Sequence, residues 1–136
     1  MTPSPAVLAV ALYAGLNGLI LLWLAVSVAR TRARLKVMMG DGGAPEMIRA
    51  MRGQANFVEY TPLILVQLVL MALLGTPPWV VHLFGLALTV GRLLHAWHFT
   101  QDDAPGWQRG SGAMLTLVAL VGASAGLIAH AVWGML

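Results

Sequence analysis

The sequence contains no cysteine, and only 10% of its 136 residues are charged. Without cysteine, the chain cannot form a disulfide, a thiolate metal site or a cysteine nucleophile, so any thiol in its chemistry must come from a substrate. Charged residues make up about a quarter of an ordinary soluble domain. The shortage of charge, with 59% hydrophobic residues and a mean hydropathy of +0.80, predicts an integral membrane protein without a separate soluble domain.

Four long apolar runs predict an all-α integral membrane protein, a bundle of four transmembrane helices in a single domain over residues 1–136. About 20 residues cross a bilayer, so this length allows four spans. The breaks GDGGAP, GTPP and QDDAPGWQRGSG place the helices at about 5–29, 45–74, 78–100 and 111–135. Because its arginines follow the first apolar run, we expect that run to be retained and not removed as a signal peptide.

The basic residues lie next to the apolar runs and do not predict a nucleic-acid surface, although the pI is about 10.2. Seven of the eight lysines and arginines lie in or beside the first and third connections: Arg30, Arg32, Arg34, Lys36, Arg49, Arg52 and Arg109. Such an excess is typical of cytoplasmic loops. We therefore expect a protein of a bacterial inner membrane, with both termini on the non-cytoplasmic side and no nucleic-acid partner.

The second predicted helix carries polar side chains into its apolar core, in the segment RGQANFVEY at 52–60. Arg52, Asn56 and Glu59 are offset by 0, 4 and 7 residues and therefore share one stripe of a helix. Tyr60 flanks this stripe, whereas Gln54 points elsewhere. A polar stripe on a membrane helix indicates a partner inside the bundle or a wet cavity.

The third predicted helix carries a second polar stripe, with Arg92, His95 and Phe99 at offsets of 0, 3 and 7. Arg92 and Glu59 lie at similar depths from the same end, so we predict that they form an ion pair. An unpaired charge inside a bilayer costs about 3 kcal/mol or more. Such a pair could also simply fasten two helices, so its role stays open. The further polar groups on both stripes favour a ligand site.

Two other patterns have simple interpretations. His95 and His98 have the spacing of a metal-binding pair, but no nearby carboxylate or cysteine completes a site, and we predict no metal. Gly122 and Gly126, in GASAG, have the small-xxx-small spacing that permits close contact of the fourth helix with a neighbour.

The segments RGQANFVEYTP at 52–62 and GRLLHAWHF at 91–99 resemble a known family, the membrane-associated proteins in eicosanoid and glutathione metabolism, or MAPEG. The family pattern is close to R-x-x-x-N-x-x-E-Y-x-P on the second helix and to G-R-x-x-H or R-x-x-Y on the third. The resemblance extends over the whole chain in topology. It implies a homotrimer of four-helix subunits in membrane lipids, with glutathione bound between neighbouring subunits near the cytoplasmic face.

The resemblance also implies which side chains hold glutathione. They are Arg30, Arg32, Arg52, Gln54, Asn56, Glu59, Tyr60, Arg92 and His95, with Gln54 reaching the tripeptide from the side of the other subunit. Arg109 matches the arginine that activates the thiol in the enzymatic members, after a shift of one residue in the loop. Phe99 departs from the family, where a tyrosine is common, and so removes a hydroxyl from the site.

These expectations favour a membrane-bound glutathione transferase, with or without glutathione peroxidase activity. It would present the thiolate of glutathione, its co-substrate, to a lipophilic small-molecule electrophile, as in detoxification. Two alternatives stay open. One is a non-catalytic membrane protein on the same scaffold that binds lipid or glutathione, and the other is a structural membrane protein whose polar stripes only specify assembly.

Overall fold

The computed structural model describes residues 2–136, most of which lie in four helices. These are α1 (Pro5–Leu35), α2 (Pro45–Leu73), α3 (Pro78–Thr100) and α4 (Gly106–Met135). Each helix is long and apolar enough to cross a membrane. The predicted all-helical architecture with four helices of membrane length is confirmed.

Proline and serine set the starts of three helices. The Ser4 Oγ accepts a hydrogen bond from the backbone N–H of Val7 at 3.3 Å, which satisfies one free donor in the first turn of α1. Pro5, Pro45 and Pro78 occupy the first positions of α1, α2 and α3. Proline is well suited there because its missing N–H has no partner within the helix in any case.

Two helices have different bounds from those predicted. α1 continues to Leu35 instead of ending near residue 29, because the arginines and alanines that follow the apolar run are good helix formers. Lys36 caps its C-terminus with a left-handed φ of 55°. α4 begins at Gly106 instead of residue 111, directly after Pro105. Arg109 therefore lies in the first turn of α4 and is held by a helix.

The helices α2 and α3 form the centre of the bundle. α1 packs against both of them on one side, and α4 packs against both on the other. Within residues 2–136, no Cα atom of α1 lies within 8 Å of a Cα atom of α4. The chain runs up and down through the four helices, so the C-termini of α1 and α3 and the N-termini of α2 and α4 meet at one end. We call this the basic end, because most of the lysines and arginines lie there.

Glycines let α3 and α4 approach each other at the level of the backbone. A Cβ atom on Gly112 would lie 2.7 Å from the carbonyl oxygen of Gly91, and a Cβ on Gly91 would lie 2.9 Å from that of Gly112. The small-xxx-small spacing in the sequence predicted close contact at Gly122 and Gly126. Gly122 instead faces the ring of Phe84, and a Cβ on Gly126 would meet nothing within 4 Å in the chain.

Polar side chains also join the helices away from the basic end. The Asn17 Nδ2 donates to the Thr89 Oγ1 at 2.8 Å, between α1 and α3. The Gln67 Nε2 donates to the Ser124 Oγ at 2.8 Å, between α2 and α4. Hydrogen bonds of this kind contribute about 0.6 kcal/mol each in a membrane and fix how neighbouring helices align.

Candidate functional site

A polar cavity in two adjacent parts lies between α2, α3 and α4 toward the basic end. The larger part, which we call the outer cavity, has a volume of about 170 Å³ and is lined by Arg52, Asn56, His95, Phe99 and Arg109. The smaller part, the inner chamber, has a volume of about 70 Å³ and is lined by Asn56, Tyr60, Arg92, Ala113, Thr116 and Leu117. Asn56 lines both parts, so the two are neighbours.

The outer cavity is electrostatically positive. Arg52 and Arg109 line it from α2 and α4, and none of the residues that line it in the described chain is acidic. A concave site lined by positive charges raises the local concentration of anions. The arrangement therefore fits a small ligand with more than one negative group, such as a short peptide with free carboxylates.

The ring of Phe99 organises the arginines around the outer cavity. The guanidinium carbons of Arg49 and Arg109 lie 5.5 Å and 5.7 Å from its centroid, within the range of cation–π attraction. The His95 ring packs against it with centroids 4.8 Å apart. Gly53 allows this packing, because a Cβ atom there would lie 2.7 Å from the Phe99 Cβ. The hydroxyl expected from the family is thus replaced by an apolar ring that contacts two cations.

Arg49 connects α2 to the end of α3. Its guanidinium donates to the carbonyl oxygen of His98, one of the last carbonyls of α3, where a cation also interacts favourably with the helix dipole. This contact fixes the start of α2 against the end of α3. In the part of the chain that the structure describes, no three histidine or acidic side chains converge where a metal ion could bind.

Arg92 joins all three helices at the inner chamber. Its Nε donates to the Thr116 Oγ1 on α4 at 2.9 Å, and its Nη1 donates to the Asn56 Oδ1 on α2 at 2.9 Å. The Thr116 hydroxyl in turn donates to the carbonyl oxygen of Gly112 at 2.9 Å. Because the Asn56 oxygen is occupied by Arg92, its Nδ2 is the group left to donate to a ligand in the outer cavity.

The predicted ion pair between Glu59 and Arg92 is wrong within the chain. Arg92 is bonded to Asn56 and Thr116, whereas Glu59 is exposed and makes no ion pair inside residues 2–136. A helix turns by about 100° per residue, so Asn56 and Glu59 lie about 60° apart around α2. The rotation of α2 that brings Asn56 to Arg92 leaves Glu59 on the outer surface.

Three other predicted ligands also lie outside the cavity. Arg30 is exposed near the end of α1 and lines neither part of the cavity. The guanidinium of Arg32 donates to the carbonyl oxygen of Gly40 at 2.8 Å and so fixes the connection after α1. Gln54 and Arg32 line a separate groove between α1 and α2. In one chain these residues belong to a different surface from the outer cavity.

The part of α4 that lines the inner chamber was not predicted. No role was predicted for Thr116, Ala113 or Leu117, although Thr116 accepts a hydrogen bond from the buried guanidinium of Arg92. The signal was the four-residue spacing of Gly112 and Thr116, a small residue one turn before a hydroxyl, which indicates a helix face turned toward another helix.

Comparison with known proteins decides the family. A sequence model of the MAPEG family matches residues 10–129, which include every residue that lines the outer cavity and the inner chamber. The chain belongs to the MAPEG family. It is thus an integral membrane protein of a family named for eicosanoid and glutathione metabolism, as the sequence resemblance indicated.

Two bacterial relatives of this MAPEG protein are similar along most of its length. Both are called inner membrane protein YecN, one from Escherichia coli strain K12 and the other from an Escherichia coli O6:H1 strain. Each is 39% identical over 111 residues, which cover 82% of this chain and 83% of the relative. Their name gives a location and no reaction.

Proposed function

We propose that this MAPEG protein is a membrane-bound glutathione transferase that binds glutathione in the outer cavity and activates its thiol. The observation that carries the proposal is the pair Arg52 and Arg109 in one cavity that has no acidic lining residue in the described chain. Glutathione has two carboxylates and an ionisable thiol, so it presents several negative groups to these cations. The chain has no cysteine of its own, so the nucleophile is the substrate thiol.

In the proposed reaction, the bound thiol loses its proton to water, and the thiolate attacks a lipophilic electrophile to form a carbon–sulfur bond as the leaving group departs. A thiol pKa must fall from about 8.5 to about 6.5 for the thiolate to dominate at neutral pH, which requires about 2.7 kcal/mol. A guanidinium about 4 Å from the sulfur supplies about 4 kcal/mol at an effective dielectric constant of 20. One arginine is therefore sufficient to lower the thiol pKa by this amount.

The geometry supports a division of roles in the outer cavity. We assign Arg52 and the Nδ2 of Asn56 to the carboxylates of glutathione, because both are donors from α2. Arg109, which lines the cavity from α4, is assigned to the thiolate. His95 lines it from α3 and contributes a further hydrogen-bonding group, while Tyr60 and Arg92 line the inner chamber.

The exposed face of α2 supports the proposed homotrimer. Arg52, Glu59, Val66 and Leu73 recur every seven residues, and all four are exposed in the single chain. A repeat of seven is typical of helices that pack side by side in a bundle, and a carboxylate in the middle of a membrane helix is costly when it faces lipid. Since Arg52 also lines the outer cavity, a second subunit on this face would close the cavity. Arg30, Arg32, Gln54 and Glu59 would then be contributed across the interface.

Replacing Glu59 with leucine is expected to weaken the trimer about tenfold, because the change removes a carboxylate that the proposed neighbour neutralises. Native mass measurement of the detergent-purified protein over a concentration series gives the dissociation constant. Val69→Leu, at an exposed position elsewhere on α2, is the matched control and should leave the dissociation constant of the trimer unchanged. A wild-type protein that is monomeric, or a Glu59→Leu protein that is as trimeric as wild type, would contradict this interface.

The family resemblance and the relatives' name together support a location in the bacterial inner membrane. We place the basic end in the cytoplasm, in line with the excess of lysine and arginine beside the first and third connections. Glutathione is then reached from the cytoplasm and the electrophile from the bilayer.

The proposed function is tested by titrating the purified protein with glutathione at neutral pH and recording the ultraviolet absorbance of the thiolate. A saturable thiolate signal is expected, and S-methylglutathione, which has no ionisable thiol, should give none. Binding without thiolate would leave a non-catalytic binding protein as the better description. No binding at all would favour a structural protein.

Replacing Phe99 with leucine is expected to weaken glutathione binding about fivefold, since the loss of cation–π contact with Arg49 and Arg109 costs about 1 kcal/mol. Phe99→Tyr keeps the ring and should bind glutathione as wild type does. Isothermal titration calorimetry measures both. Phe84→Leu, at the opposite end of the bundle, serves as the control. Equal affinities for Phe99→Leu and wild type would show that the ring does not position these arginines.

A further inference from the structure

The first turn of α4 carries Arg109 but has few contacts that hold it in place. α4 begins at Gly106 after Pro105, and no side chain caps its N-terminus. Three glycines fall within its first seven residues, and a glycine inside a helix disfavours the helix about fivefold relative to alanine. Among residues 105–110, only Gln108 is buried. The helical conformation around Arg109 therefore needs support from elsewhere in the bundle.

His98, in the last turn of α3, makes a supporting contact. The residue is 7% exposed, and its Nδ1 lies 3.3 Å from the carbonyl oxygen of Pro105, the residue directly before α4. A carbonyl oxygen only accepts hydrogen bonds, so this Nδ1 carries the proton and donates. The bond closes the connection 101–105 and fixes the carbonyl at which α4 starts. Arg109 follows Pro105 by four residues, about one turn of helix further along.

His98 also contacts α2 and the ring of Phe99. Its backbone carbonyl oxygen accepts a hydrogen bond from the guanidinium of Arg49, near the start of α2. Its own ring meets the Phe99 ring edge to face, with centroids 5.2 Å apart. The guanidinium carbon of Arg109 lies 5.7 Å from the centroid of the same Phe99 ring. His98 thus joins the ends of three helices beside the ring that Arg109 contacts.

We propose that His98 is a positioning residue, which holds the first turn of α4 against the end of α3 and so keeps Arg109 at the outer cavity. The imidazole lines neither part of the cavity and touches no ligand in this role. It acts by donating to the Pro105 carbonyl, so a side chain with a donor at the same place can replace it. The inference rests on the proposed function where Arg109 activates glutathione, whereas the order of the first turn of α4 does not depend on glutathione.

The first test compares two variants that separate the donor of His98 from its ring. His98→Phe keeps a ring beside Phe99 but has no donor, whereas His98→Asn places an amide donor near the position of the imidazole Nδ1. In the glutathione titration, His98→Phe is expected to raise the midpoint of thiolate formation by about one pH unit, an about tenfold loss of thiolate stabilisation. His98→Asn should keep the wild-type midpoint. A wild-type midpoint in His98→Phe, or equally raised midpoints in both variants, would overturn the proposal.

A second change in α4 tests whether the order of its first turn is the cause. A Cβ atom on Gly110 would meet nothing within 4 Å, so Gly110→Ala favours the helix without a clash. Added to His98→Phe, it is expected to bring the thiolate midpoint back toward that of wild type. His82→Phe, the same substitution near the other end of α3, is the matched control and should keep the wild-type midpoint. A double variant with a midpoint as high as that of His98→Phe alone would contradict this role.

Hydrogen exchange of the detergent-purified protein without glutathione tests His98 independently of the proposed function. The backbone amides of residues 109–112 are expected to exchange about tenfold faster in His98→Phe than in wild type, because the first turn of α4 opens more often. If wild type forms no thiolate but this exchange rises in His98→Phe, the proposed function fails and the positioning role of His98 stands. Equal exchange in the two proteins would refute that role and leave the proposed function intact.

Discussion

Replacing Arg109 with alanine is expected to leave glutathione bound but largely as the thiol. Arg109 is the cation that α4 contributes to the outer cavity, and a nearby positive charge lowers the pKa of a thiol because it favours the charged form. Without it, the pKa of the bound thiol should return from about 6.5 toward about 8.5. At pH 7 the thiolate fraction would then fall from about three quarters to about 3%, a loss of roughly 25-fold.

The titration of thiolate absorbance against pH measures this change. In wild type the midpoint should lie near pH 6.5, and in Arg109→Ala it should move upward, because the cation that stabilised the anion has been removed. Arg109→Lys keeps the charge and should lie between the two. Lys36→Ala removes a cation of the basic end that lines neither part of the cavity and is the matched control. An unchanged midpoint in Arg109→Ala would assign thiol activation to another group.

Replacing Gly112 with valine is expected to be the most damaging change to the fold around the site. A Cβ atom at Gly112 would lie 2.7 Å from the carbonyl oxygen of Gly91 and 2.9 Å from the backbone nitrogen of His95, so only a shift of whole helices can relieve the clash. Overpacking of this kind costs about 1–3 kcal/mol or more. The shift would also separate Thr116 from Arg92 and open the cavity.

The expected result for Gly112→Val is a melting temperature several degrees below wild type, together with loss of glutathione binding. Gly126→Val is a closely matched control, since it makes the same substitution on the same helix where a new Cβ meets nothing within 4 Å in the chain. Comparable stability of the two variants would mean that α3 and α4 do not touch at their backbones beside the site.

The sequence predicts the four helices well because each apolar run is long enough to span a membrane and the connections between the runs contain glycine and proline. It places the start of α4 too late, since the polar residues 106–110 have no apolar periodicity and the helix there begins from Pro105. It also places the end of α1 too early, because charged residues after an apolar run mark the membrane boundary and not the end of a helix. Hydropathy locates spans, whereas helix ends depend on local backbone preferences.

The candidate site is only partly predictable for a related reason. Helical spacing puts Arg52, Asn56 and Glu59 on one stripe, but it does not give the rotation of α2, and this rotation decides whether Asn56 or Glu59 meets Arg92. Thr116 was missed because its four-residue spacing from Gly112 is a weak signal in an apolar helix that contains many small residues. The contact of Gly112 with Gly91 was missed because small residues occur on several faces of α4, and only packing selects one.

A structure of the protein with glutathione in lipid nanodiscs is the sharpest test of whether the outer cavity binds glutathione. We expect density for the tripeptide between α2, α3 and α4, with its carboxylates at Arg52 and Asn56 and its sulfur at Arg109. Density for a lipid in that place, or glutathione bound elsewhere on the protein, would contradict it.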